Sequence, residues 1–126
     1  MTQLELLKKI KHRKKQMGLT IDNISKLSNL GNRTVVRFFN AQDVKLSTVE
    51  KITNLLGLDF AGNETVDIKT LKEKRAYEKA LYIVSLVQDT SSLEKQGLEK
   101  EAINTLIEET KQEFLSGKNK KILWAS

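Results

Sequence analysis

Arg33 and Arg37 stand four residues apart, one turn of a helix, with Asn32 and Val36 beside them. A second group of cations, Lys8, Lys9, Lys11, Arg13, Lys14 and Lys15, crowds the start of the chain. These side chains offer hydrogen-bond donors and positive charge, and taken singly each group reads either as the solvated face of an amphipathic helix or as a surface for a polyanion. Little else in the chain can do chemistry. There is no cysteine and only one histidine, His12, which excludes disulfides, zinc fingers, iron–sulfur sites, thiol nucleophiles and multi-histidine metal sites. No glycine-rich phosphate loop and no carboxylate pair in an apolar setting is present. The chain is therefore expected to have no catalytic residue, no metal and no cofactor, and not to be an enzyme.

The distribution of charge sharpens this. Residues 1–62 carry 11 Lys/Arg against 5 Asp/Glu, and residues 63–126 carry 11 against 11, so the whole net charge of +6 lies in the first half. Docking one half on a polyanion explains such segregation, which a need for solubility does not. A hydrophobic content of 39% supports a packed core and argues against a disordered polycation. The longest dense apolar stretch, Ala80 to Val87, is far short of the roughly 20 residues a membrane helix needs. The opening Met1-Thr2-Gln3-Leu4-Glu5 lacks the pattern of a secretory signal. No membrane association and a cytoplasmic location are expected.

Proline is absent, so glycines and capping residues must punctuate the helices. The spacing predicts a first helix over Gln3–Met17, with Leu4, Leu7, Ile10 and Met17 inward, the cations outward and Gly18 as its stop. Thr20 is an N-cap for a short second helix carrying Ile24 and Leu27, which ends near Asn29. After Leu30-Gly31, a third helix runs from Asn32 to about Asn40 with Val35, Phe38 and Phe39 inward and Asn32, Arg33, Val36 and Arg37 on the other side. Ser47, three residues before Glu50, predicts a capping box for a fourth helix whose Val49, Ile52, Leu55 and Leu56 recur up to Gly57. Leu58 and Phe60 would close the unit before a boundary at Ala61-Gly62-Asn63.

A long helix follows from Ile68 to about Gln88, apolar nearly all round over Ala80–Val87 and so in need of burial by its own domain or a partner. Ser91 to Glu94 reads as another capping box, opening a brief helix stopped by Gly97. The last helix spans about Leu98 to Leu115 with Leu98, Ala102, Leu106, Thr110 and Phe114 in one stripe. The tail, Lys118 to Trp124, is either a solvated terminus or an aromatic anchor for a partner's cleft.

The run Met17-Gly18-Leu19-Thr20, Ile24 to Leu27, Leu30-Gly31-Asn32-Arg33-Thr34-Val35-Val36-Arg37-Phe38 and Leu46 through Leu58 resembles the Cro/C1 type of helix-turn-helix regulator, over residues 3 to about 60. The resemblance implies an all-α fold: a lambda-repressor-like, five-helix domain in 1–62, followed by a helical dimerisation or partner-binding segment in 63–126. It implies that the third helix enters the major groove of double-stranded DNA. Carried over by position, Asn32, Arg33, Val36 and Arg37 become base readers, since guanidinium suits guanine, Asn suits adenine and Val suits a thymine methyl. Thr34, Asn40 and Lys45 become backbone contacts, with Lys14 and Lys15 as weaker ones. Three departures stand out. Ile21 replaces a frequent Gln, Lys14 and Phe39 occupy the positions of a frequent Arg–Glu pair, and Val44-Lys45 replaces a Pro before the fourth helix.

The function so implied is a sequence-specific transcriptional regulator, a repressor acting as a homodimer on two half-sites. The second half is also similar, over Leu86 to Glu94 and in the ending Phe114-Leu115-Ser116-Gly117 with Leu123-Trp124, to segments that follow such domains in antitoxins. That likeness implies an autoregulatory antitoxin whose residues 63–126 bind a cognate toxin. The competing expectation is a protein–protein adaptor that uses the helix-turn-helix as scaffold without specific DNA binding.

Overall fold

Side-chain caps and left-handed stops set the ends of the first two helices in the computed structural model, which describes residues 2–93 and 100–125, the side chains of 88–93 excepted. Among the described residues the chain is helical, with no strand beyond a lone antiparallel bridge between Leu58 and Glu64. No helix in them is long and apolar enough to cross a membrane. Two compact units result: Met1–Leu71 with Trp124–Ser126, and Lys72–Leu123.

In the first unit, α1 (Gln3–Met17) opens on a capping box in which Thr2 and Glu5 each accept from the other's backbone amide, and closes at Gly18 with φ 74°. Leu7, Ile10 and Met17 are buried as expected, but Leu4 is 68% exposed, because it lies in the first turn where the stripe has nothing to cover it. Arg13, read from sequence as one of the outward cations, is buried. Its Nε donates to the Leu56 carbonyl at 2.9 Å, Nη1 to Glu64 Oε1 at 2.6 Å and Nη2 to the Val66 carbonyl at 2.5 Å. The guanidinium therefore clasps the segment that leaves the last helix of the unit to the middle of α1. Gly57 makes this approach possible. At φ 69°, a Cβ there would stand 2.8 Å from the Val66 carbonyl and 3.3 Å from Arg13 Nη2.

α2 (Ile21–Ser28) starts from a second capping box, Thr20 with Asn23, and ends at Asn29 in the left-handed conformation, φ 58°. The Ser25 hydroxyl donates to the Leu30 carbonyl while the Leu30 amide donates to the Ser25 carbonyl at 3.0 Å, which fixes the turn into α3 (Asn32–Phe39). Val35, Phe38 and Phe39 bury the inner face of α3, the two rings meeting edge to face at 5.2 Å between centroids. α4 (Leu46–Leu55) contributes Ile52, with Leu56 just beyond it, and α2 packs against both α3 and α4. Ile10, Ile24, Val35, Ile52 and Leu56 are wholly buried, each stabilising the unit by about 1.5–3 kcal/mol.

Three expectations need correction here. The first 62 residues hold four helices, not five. The Ser47–Glu50 capping box is not made: α4 begins two residues early, with Lys45 in the cap position and no side-chain cap, so Ser47 is already helical. Leu58 is the closing apolar anchor, whereas Phe60 is half exposed.

α5 (Ile68–Leu93) enters the second unit at Lys72 and there buries Ala76, Ala80 and Val84, four residues apart on one stripe. α6 (Lys100–Leu115) buries Thr110 and Phe114, and Lys79 Nζ lies over the Phe114 ring at 5.2 Å. The expected stripe narrows: Leu106 is half-buried, Ala102 is exposed and Leu98 lies outside the described residues. α5 runs to Leu93, so Ser91 and Ser92 continue it and do not open a new helix; the rest of that expected brief helix falls outside the described residues. After α6 a short 3-10 turn, Lys120–Ile122, brings the Leu123 carbonyl to Arg75 Nε at 3.1 Å and the Ile122 carbonyl to Lys79 Nζ. The tail is neither frayed nor free for a foreign cleft at its tryptophan. Trp124 is 9% exposed and belongs to the first unit.

Candidate nucleic-acid interface

Burial of Val35, Phe38 and Phe39 on one side of α3 leaves Asn32, Arg33, Val36 and Arg37 together on the other, all exposed. Arg33 has no ion pair or hydrogen bond among the described residues, so its guanidinium keeps all its donors. Arg37 differs. Its Nη2 donates to the Asp43 carbonyl at 3.3 Å, which turns the side chain from the start of α3 toward the loop before α4.

That turn places Arg37 on the wall of a groove of about 650 Å³. Thr34 and Lys45, two of the residues expected at a nucleic-acid backbone, line the same groove. Ser47 and Lys51 line it as well and were not anticipated from sequence. The signal for them existed. Once α4 starts at Leu46, Ser47 and Lys51 are four apart on its outer face, but reading Ser47 as a cap turned it inward to the helix's own amides. Arg37, Lys45 and Lys51 against Asp43 make the groove net positive.

The remaining expected contacts are not brought to the groove. Asn40 is exposed at the C-cap of α3. Lys15 is exposed in the last turn of α1. Lys14 is half-buried with its ammonium 6.0 Å from the centroid of the Phe39 ring. The two positions noted in the sequence as lacking an Arg–Glu pair are thus joined as a cation over an aromatic face.

The helix starts carry a further asymmetry. α1 and α2 satisfy their first amides with capping boxes. α3 and α4 have no side-chain cap, and among the described residues the amides of Asn32, Arg33 and Thr34 and those of Leu46 and Ser47 have no backbone acceptor. These free donors carry the positive ends of two helix dipoles, where an anionic oxygen is favoured. The arrangement can therefore bind a polyanion by charge along the groove and by donors at both helix starts, while Asn32, Arg33 and Val36 project beyond it. Comparison with protein-family models, curated proteins and solved structures finds no match.

Proposed function

We propose that the chain is a sequence-specific double-stranded DNA-binding transcriptional regulator, acting as a repressor. The observation that carries this reading is the exposed face of α3. A guanidinium with all its donors free, an amide and a valine project from one short helix beside a positive, hydroxyl-lined groove. On this reading Asn32, Arg33 and Val36 meet base edges. Thr34, Arg37, Lys45, Ser47 and Lys51 meet the phosphates alongside.

One unit of this size covers one half-site, and two copies related by a two-fold axis read two half-sites about 34 Å apart. The apolar surface that α5 leaves uncovered favours a second copy. Tyr77, Leu81, Tyr82, Ile83, Leu86 and Val87 leave much of their surface exposed there, Tyr82 by 66% and Leu86 by 50%. The finer reading, an antitoxin that also binds a toxin through residues 63–126, rests on the sequence likeness. Co-purification of a stoichiometric partner from the native host tests it.

The test of DNA reading is footprinting on the DNA upstream of the protein's own gene, with sedimentation to count copies. A palindromic footprint bound by a dimer is expected. Arg33→Ala and Arg37→Ala should each cost about 1–3 kcal/mol per contact, with sequence discrimination lost mainly in the first. Equal affinity for every duplex, unchanged by both substitutions, would favour the adaptor and remove this reading.

A further inference from the structure

The end of α1 is closed from far away in the chain. Gly18 and Leu19 donate to the carbonyls of Lys14 and Lys15, but among the described residues the Met17 carbonyl receives no backbone donor. Its partner is the indole of Trp124, whose Nε1 donates to it at 2.9 Å from a buried position. A buried indole N–H needs such an acceptor, so ring burial and carbonyl satisfaction are gained or lost together. The location matters for the reading face. Directly after Met17 come Gly18 and the Thr20 capping box that start α2, and one turn before it Lys14 rests on Phe39 of α3.

Trp124 itself brings its ring and this one hydrogen bond, and the chain reaches it through residues 118 and 120–122, which are exposed. The two preceding carbonyls, Ile122 and Leu123, are held by Lys79 and Arg75 of α5. Those neighbouring cations oppose one another: burial, and secondly the Arg75 charge, push the Lys79 ammonium below the ordinary lysine value. Segments reached through exposed residues open at lower free energy than the core they rest on.

We infer that the C-terminal tail is a releasable strap. With Trp124 docked on the Met17 carbonyl the α1–α2 turn is held in the conformation that presents α3, and withdrawing Trp124 loosens that turn and lowers DNA affinity. The inference rests on the DNA-binding reading for its consequence, though not for the strap itself.

Trp124 is the sole tryptophan, so its fluorescence reports the strap alone. The full-length protein should show a blue-shifted emission shielded from iodide. In urea this signal should change at lower concentration than the far-UV circular dichroism of the helices. Trp124→Ala should keep its helix content and bind the upstream duplex about 5- to 150-fold more weakly, the usual range for coupled sites. Trp124→Phe, which keeps a ring and loses the N–H, should fall between and serves if the alanine variant does not fold. Water-like emission, coincident urea transitions, or wild-type DNA affinity in both variants would overturn the strap. A wild-type protein that binds no duplex would instead overturn the DNA reading, leaving the emission and the order of the urea transitions to decide the strap.

Discussion

Replacing Arg13 with methionine tests whether the cation buried in α1 holds the N-terminal unit together. Methionine keeps most of the stem's apolar packing, so the loss is confined to the guanidinium. Two of its three partners are backbone carbonyls, Leu56 at 2.9 Å and Val66 at 2.5 Å, and the first bond is buried. A bond from a charged donor contributes about 1.5–3 kcal/mol, and a buried carbonyl left without a donor adds a penalty of similar size. Glu64 is half exposed, so its ion pair with Arg13 contributes about 1 kcal/mol or less. The expected loss is about 3 kcal/mol, which for a unit of this size lowers Tm by roughly 10–20 °C. Urea and thermal melts followed by circular dichroism measure it, with Glu64→Gln as the control that should cost little. If Arg13→Met melts within about 1 kcal/mol of wild type, or if Glu64→Gln is as damaging, then the carbonyl clasp is not what stabilises the unit.

Lys51→Ala should weaken every duplex alike and lower the slope of log affinity against log salt by about 1, measured by anisotropy titrations across salt concentrations; a loss confined to one sequence would place Lys51 at a base instead. Gly31 stands in open space at φ −67°, so Gly31→Asp fits without strain and caps α3. It should raise stability by a few tenths of a kcal/mol while reducing DNA affinity, and tighter binding would refute the role given to the free amides there. Asp67 accepts from the Thr70 amide at 2.8 Å, and its carboxyl lies below the ordinary value first because of the Thr70 side chain and then because of that amide. A depressed folded pKa gives stability that is complete above the unfolded value of 3.8 and is lost as pH falls through the folded one. The start of α5 should accordingly fray only in acid below that value, and an NMR titration placing the Asp67 midpoint at or above it would contradict the cap.

Much of the first unit was legible because its signals are local. Gly18, Thr20 and Asn29 mark ends by backbone conformation and short-range caps, and Val35, Phe38 and Phe39 reveal the inner face of α3 by spacing alone. Arg13 was misread because residue type outweighed position. It falls three after Ile10 and four before Met17, on the buried stripe, but a charge is placed inside only when distant carbonyls are there to receive it, and Leu56 and Val66 are more than forty residues away. Trp124 was illegible for the same reason, its acceptor lying 107 residues earlier. Ser47 shows the opposite failure: a good local pattern overruled by a helix that starts two residues sooner. In α5 the unbroken apolar run hid a division, since the single chain buries Ala80 and Val84 while leaving Tyr82 and Leu86 exposed.

The placement of helix caps bears on the candidate site more directly than the count of cations does. Lysines and arginines on a surface cost little to keep and are compatible with no function at all. An uncapped helix start is different, because a side-chain cap is available from sequence at about 0.5–2 kcal/mol of stability, and this chain uses one at Thr2 and another at Thr20. At Gly31 and Lys45 it forgoes them, and Thr34 from the first turn of α3 lines the same groove as Lys45 and Ser47 from the start of α4. Stability is thus left unclaimed at the two helix starts nearest Arg33 and Arg37 and nowhere else in α1 to α4. A ligand rich in anionic oxygens recovers it on binding, supplying to both helices the acceptors that their own side chains do not.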